Sequence, residues 1–134
     1  MISSLTTHTT LSFDEAVTAT REALAAQGFG VLTEIDVQAT LRAKLDVETG
    51  PYLILGACNP PLAHQALEVD PSVGLLLPCN VVVRREAGAD GTTVSAMDPQ
   101  LLVDVVGRPE LKAVADTASE LLAAALAQLP GTAS

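Results

Sequence analysis

The sequence predicts an α+β domain with a largely antiparallel sheet. Two observations carry that class. Helix-period and strand-period segments interleave along the chain, and a hairpin signal, Asp90-Gly91, stands between two strand-like runs late in it. A third observation bounds it: the 134 residues contain no internal repeat, low-complexity segment or linker, so residues 1–134 read as one domain.

Over residues 5–11, Leu5, Thr7, Thr9 and Leu11 alternate with Thr6, His8 and Thr10, the period of a Thr-rich strand. Ser12 and Glu15 have the spacing of a capping box. Behind them Phe13, Val17, Thr20 and Leu24 share one helical face, and Gly28 is placed to stop the helix. Residues 29–35 read as a second strand. Asp36 then caps a short helix in which Val37, Leu41 and Leu45 recur every fourth residue, until Gly50-Pro51 breaks the chain. The run "YLILGAC" is continuously apolar, as in a short strand buried on both faces. A helix of about ten residues, an ordinary length, begins at Asn59 and is ended by Pro71. "GLLLP" is an apolar connector, "CNVVVRRE" a strand that runs out into charge, and "TVSAM" the return strand of the hairpin. Asp98-Pro99 starts a short helix that Gly107 can end. The last helix begins around Pro109, with Leu111, Val114, Ala115, Ala118, Leu121, Leu122 and Ala125 as a wide apolar stripe.

Composition narrows the function classes. Hydrophobic residues make up 49% of the chain but include two Phe, one Tyr and no Trp, so the core is filled by aliphatic side chains and close helix packing. Sixteen acids against seven bases give a formal charge of −9, which repels phosphate backbones and anionic lipid and argues against nucleic acid and membrane partners. The opening "MISSLTTHTT" has neither the basic region nor the apolar run of a secretory signal, and "LLAAALAQL" is too short to span a bilayer. Two cysteines in that setting read as free thiols in a reducing cytoplasm.

Cys58 is the candidate for chemistry. It ends a buried strand just before a helix with Asn59 as N-cap and Pro60-Pro61 in its first turn. The helix dipole places partial positive charge near the thiol and favours thiolate, although the two prolines remove amides that would otherwise cradle an anion. The plain reading of the same residue is a small buried hydrophobe. His64 groups with Glu68 at i, i+4 on the exposed-looking face of the helix, as a surface pair. Cys58, His64 and Cys79 match no compact zinc spacing, and a metal would need a further ligand such as Asp98 or His8, so no metal and no cofactor are expected. A Cys58–Cys79 disulfide is possible in principle but disfavoured by compartment. Asp98 is explained as a helix cap. Adjacent Arg84 and Arg85 face opposite sides of a strand, so one of them can line a pocket and hold an anionic group. No Ser-His-Asp order, Walker loop, dinucleotide fingerprint or carboxylate pair at helical spacing is present. An enzyme reading therefore rests on one thiol.

"YLILGACNPPLAHQALEVDPSVGLLLPCNVVV", followed by "VSAMDP" and the closing amphipathic helix, resembles the bacterial and archaeal domain of unknown function 302 over residues 10–126. The resemblance implies a curved, mainly antiparallel sheet carrying helices on one face, a TATA-binding-protein-like arrangement, and a homodimer. It implies no established activity. Its motif positions fall on Cys58, Asn59, Pro60, Leu62, Ala63, Pro78, Cys79, Asn80, Met97 and Asp98.

The reading favoured is a homodimeric, cytoplasmic small-ligand-binding module. Cys58, Asn59, Cys79, Asn80 and Asp98 would line a cleft, with Cys58 touching the ligand, Asn59 and Asn80 supplying hydrogen bonds and Asp98 fixing the wall. The "GLLLP" connector is the expected contact between copies. Two alternatives stand beside it. One is a thiol-dependent enzyme or sulfur or redox carrier in which Cys79 resolves Cys58. The other is a structural or protein-interaction domain whose cysteines are core filler.

Overall fold

The computed structural model describes residues 4–86 and 88–131, Ser4 by its backbone alone. The chain forms β1 (Ser4–Thr9), α1 (Phe13–Ala26), β2 (Gly30–Asp36), α2 (Val37–Leu45), β3 (Tyr52–Cys58) and α3 (Pro60–Val69). A 3-10 helix, Pro71–Leu76, leads into β4 (Cys79–Arg84) and β5 (Thr92–Met97). Next come α4 (Gln100–Val106), a second 3-10 turn (Pro109–Leu111) and α5 (Lys112–Ala127). The five strands make one open sheet in the order β1-β5-β4-β3-β2, and every neighbouring pair is antiparallel.

The order places β1 and β2 at opposite edges, so the connection between them must cross the whole sheet. Four strand spacings are about 19 Å, and the 14 residues of α1 supply about 21 Å of helix. The sequence equips α1 for that span. Ser12 and Glu15 complete the capping box, with hydrogen bonds of 3.1 and 3.2 Å, and the Ser12 hydroxyl and amide beside it hold the Glu15 carboxyl below its usual range. Gly28, at φ +84°, takes the left-handed turn that leads into β2.

α1 and α5 pack against each other and cover one face of the sheet. Leu24, Leu55, Val81, Val83, Val94 and Leu122 are fully buried between them and the strands. A second apolar cluster, centred on Ala66, Val73, Leu102, Leu111 and Val114, joins α3, α4 and the start of α5 beside the sheet.

Several boundaries differ from the sequence reading. β1 stops at Thr9 rather than Leu11, because the Thr9 hydroxyl bonds to the Pro130 carbonyl and accepts from the Leu11 amide at 3.3 Å, turning the chain toward the α1 cap. β3 is covered on one face only. Leu53, Leu55 and Ala57 are buried, while Ile54 is half-buried on the side α1 and α5 leave open, in a row with Ile35 and Val82. The apolar connector is mainly the 3-10 helix, in which Val73 is buried and Leu75 points outward. Among the described residues, no helix is long and apolar enough to cross a membrane.

Candidate functional site

The stretch "GACNPP" performs a sequence of distinct tasks at one end of the sheet. Gly56 is required by close approach: a Cβ there would collide with the Thr33 hydroxyl and come within 2.8 Å of Pro78. Ala57 faces the core. Cys58 ends β3, and Asn59 caps α3 by accepting from the Leu62 amide at 3.3 Å. The other end of the Asn59 amide donates to the Gln27 carbonyl at 3.5 Å, tying α3 to the end of α1. Pro60 and Pro61 occupy the first turn, where missing amides cost no helical bond.

Across the sheet, β4 begins with Cys79 opposite Ala57, so the second thiol enters from the neighbouring strand on the helix-covered side. Cys58, Asn59 and Cys79 line one cavity together with Phe29 and with Leu62 and Ala63 of α3. Pro99, Leu102 of α4 and Val114 and Ala118 of α5 close it. Its volume is about 30 Å³, room for one or two water-sized groups. The lining is almost wholly apolar, and the two cysteines are its reactive residues. Both are free; Cys58 is half-buried and Cys79 only 7% exposed. Burial, with a smaller contribution from the charge of Cys58, pushes the Cys79 thiol up to about 11. Cys79 is therefore neutral at physiological pH.

The remaining candidates lie elsewhere. Asn80 pairs with Gly56 in the ladder and is exposed on the opposite face of β4 from Cys79, so it does not reach the cavity. Asp98 is not on the wall either. Its carboxylate accepts from the Gln100 amide at 2.9 Å and from the Ser119 hydroxyl at 3.3 Å, which fixes the start of α4, and hence Pro99 and Leu102, against α5. His64 pairs with Glu68 at 2.8 Å on the exposed side of α3. His8 contacts the Thr93 hydroxyl at 3.0 Å on the open face of the sheet. Among the described residues no three His, Cys, Asp or Glu side chains are grouped to hold a metal ion.

Part of the cavity wall was not legible as a site. Phe29, Leu102, Val114 and Ala118 come from three separate segments, and only the fold brings them to the cysteines. No local signal in the sequence marks them.

A match to the family described as a domain of unknown function, DUF302, spans residues 5–129. The chain belongs to the DUF302 family. Among solved structures, it is similar to an uncharacterized conserved DUF302 protein from Bacillus stearothermophilus, with 33% sequence identity and a TM-score of 0.85 over 92% of this chain and 95% of that one. No curated protein matches the chain. For this DUF302 chain, the motif positions in "GACNPPLA" and "LPCN" do not all serve the cavity. Cys58, Asn59, Leu62, Ala63, Pro78 and Cys79 line the cavity, Gly56 permits the strand packing beside it, and Asn80 faces away.

Proposed function

We propose that this DUF302 domain is a homodimeric binding module that holds a small thiol-reactive ligand at Cys58. The observation that supports this reading is that two cysteines, delivered by separate strands, line one small apolar cavity beside the start of α3. Cys58, the more accessible of the two, contacts the ligand, and neutral Cys79 packs against it as a soft wall. Asn59 and Asp98 act by position: one sets the angle of α3, the other the placement of α4. The cavity limits the part of the ligand that enters it to a few atoms. Leu75, 88% exposed in the connector between α3 and β4, is the proposed contact between copies.

The resolving-thiol alternative is weakened by the same geometry. Disulfide exchange needs a thiolate, and Cys79 is held in the neutral form.

The test is the alkylation rate of Cys58 by iodoacetamide. It is measured on protein as isolated and on protein unfolded, stripped by gel filtration and refolded. A ligand seated on the thiol predicts a rate at least about tenfold higher after stripping, since only the free thiolate reacts. Equal rates before and after would contradict the reading.

A further inference from the structure

β3 has two ends. Its Cys58 end carries the cavity described above, and its Tyr52 end, about 20 Å away along the strand, opens into a larger recess of about 490 Å³, within the usual range for small-molecule sites. Val37 and Leu41 of α2 and Pro51 give the recess an apolar wall. Its polar wall comes from Thr49, Tyr52 and the end of β4, where Arg84, Arg85 and Glu86 stand together.

Three features of that wall call for an anion. Arg84 is neutralised within the protein by its ion pair with Glu86, the only carboxylate of the recess among the described residues. Arg85 has no such partner among the described residues, in a chain with sixteen acids. It is half-buried, and its Nε and one Nη donate to the Ala89 carbonyl at 3.2 and 3.1 Å, which leaves the rest of the guanidinium fork uncommitted and the recess positive. Thr49 contributes the third feature: its hydroxyl is shielded from water and has no hydrogen-bond partner among the described residues. Such a group costs stability until a partner reaches it, and rotation about one bond re-aims a threonine hydroxyl.

We propose that this recess binds a small organic carboxylate, its charged end on Arg85 with Thr49 and Tyr52 alongside, and its apolar body against Val37, Leu41 and Pro51. Arginine is the side chain whose planar fork matches a carboxylate with two parallel hydrogen bonds. The apolar wall selects an anion that carries a hydrocarbon body over an inorganic one. This site is separate from the thiol cavity, and neither depends on the other.

Hexanoate and its uncharged counterpart hexanol are the probes, titrated into the ¹⁵N-labelled full chain and read by amide chemical shifts. Hexanoate is expected to shift the amides of Thr49, Tyr52, Arg84 and Arg85 saturably, and hexanol to leave them unmoved over the same range. Arg85→Gln is expected to weaken hexanoate at least about tenfold, the usual effect of losing a charged hydrogen-bond partner. Because Arg85 also holds the Ala89 carbonyl, a second variant, Leu41→Asp, places a repelling carboxylate on the apolar wall without touching that bond. Loss of hexanoate binding in either folded variant supports the site. Equal shifts with hexanol, no shifts at those amides, or undiminished binding in both variants overturns it.

Discussion

Asn59 shows how one residue can look like a ligand and work as a fastener. Its position before two prolines made it legible as a helix cap, and the structure assigns its carbonyl oxygen to that bond and its amide group to Gln27. Asn59→Ala removes both, and a lost cap costs about 1 kcal/mol. The expected outcome is a lower denaturant midpoint with an unchanged slope, measured by urea unfolding. Cys79 is the opposite case, since nothing around it in the sequence announces its burial. Its thiol has an ordinary value of 9.0 and rises to about 11 when folded. Below pH 9 it is neutral in both folded and unfolded chains, so the stability it contributes is then fully present. Between pH 9 and 11 the unfolded chain releases a proton that the folded one keeps, and stability falls by about 1.4 kcal/mol per pH unit until the folded thiol titrates. The stability gap between the wild type and Cys79→Ala is therefore expected to narrow by on the order of 2 kcal/mol across that window. A constant gap, in urea melts at a series of pH values, would show that Cys79 is not held neutral.

Elements were legible where period and punctuation agreed. The capping box, Gly28, Asp36, the Asp70-Pro71 break, Asp90-Gly91 and Gly107 each mark a boundary by a backbone requirement local to a few residues. What those signals do not contain is which face another element covers. α2 has a clean four-residue apolar repeat yet buries no residue, and Leu45 is 66% exposed. The stripe of α5 looks similar and is core at every position except half-buried Leu121, with Leu122 wholly enclosed. The two helices should therefore respond differently to the same substitution. Leu122→Ala opens a cavity and is expected to cost about 2–5 kcal/mol, while Leu45→Ala stays within about 0.5 kcal/mol. Thermal or urea unfolding of the two variants checks this, and similar losses in both would mean that α2 is covered by something beyond this chain. The apolar run of β3 is the same problem in a strand: its composition implied two covered faces, and the helices cover one.

At the scale of the whole molecule, the class was legible and the site only partly so. Interleaved periods and one hairpin lead to an antiparallel α+β sheet, and the observed order β1-β5-β4-β3-β2 fulfils it with no parallel pair. Cys58 was visible as a candidate because a cysteine at a strand end before a capped helix is a local pattern. The cavity it shares with Cys79 was not visible, because it exists only once α4 and α5, more than forty residues along the chain from Cys58, close over the end of the sheet. Asn80 was misplaced for a related reason: adjacency to Cys79 in sequence means opposite faces in a strand. That closed space and its occupant separate a binding module from a purely structural domain. The most direct measurement is native mass spectrometry of untagged protein purified without reductant or chelator, beside Cys58→Ser prepared in the same way. A ligand held at Cys58 predicts a dimer carrying an added mass that the variant lacks. A bare mass for both proteins would contradict it, and would leave Cys58 as packing.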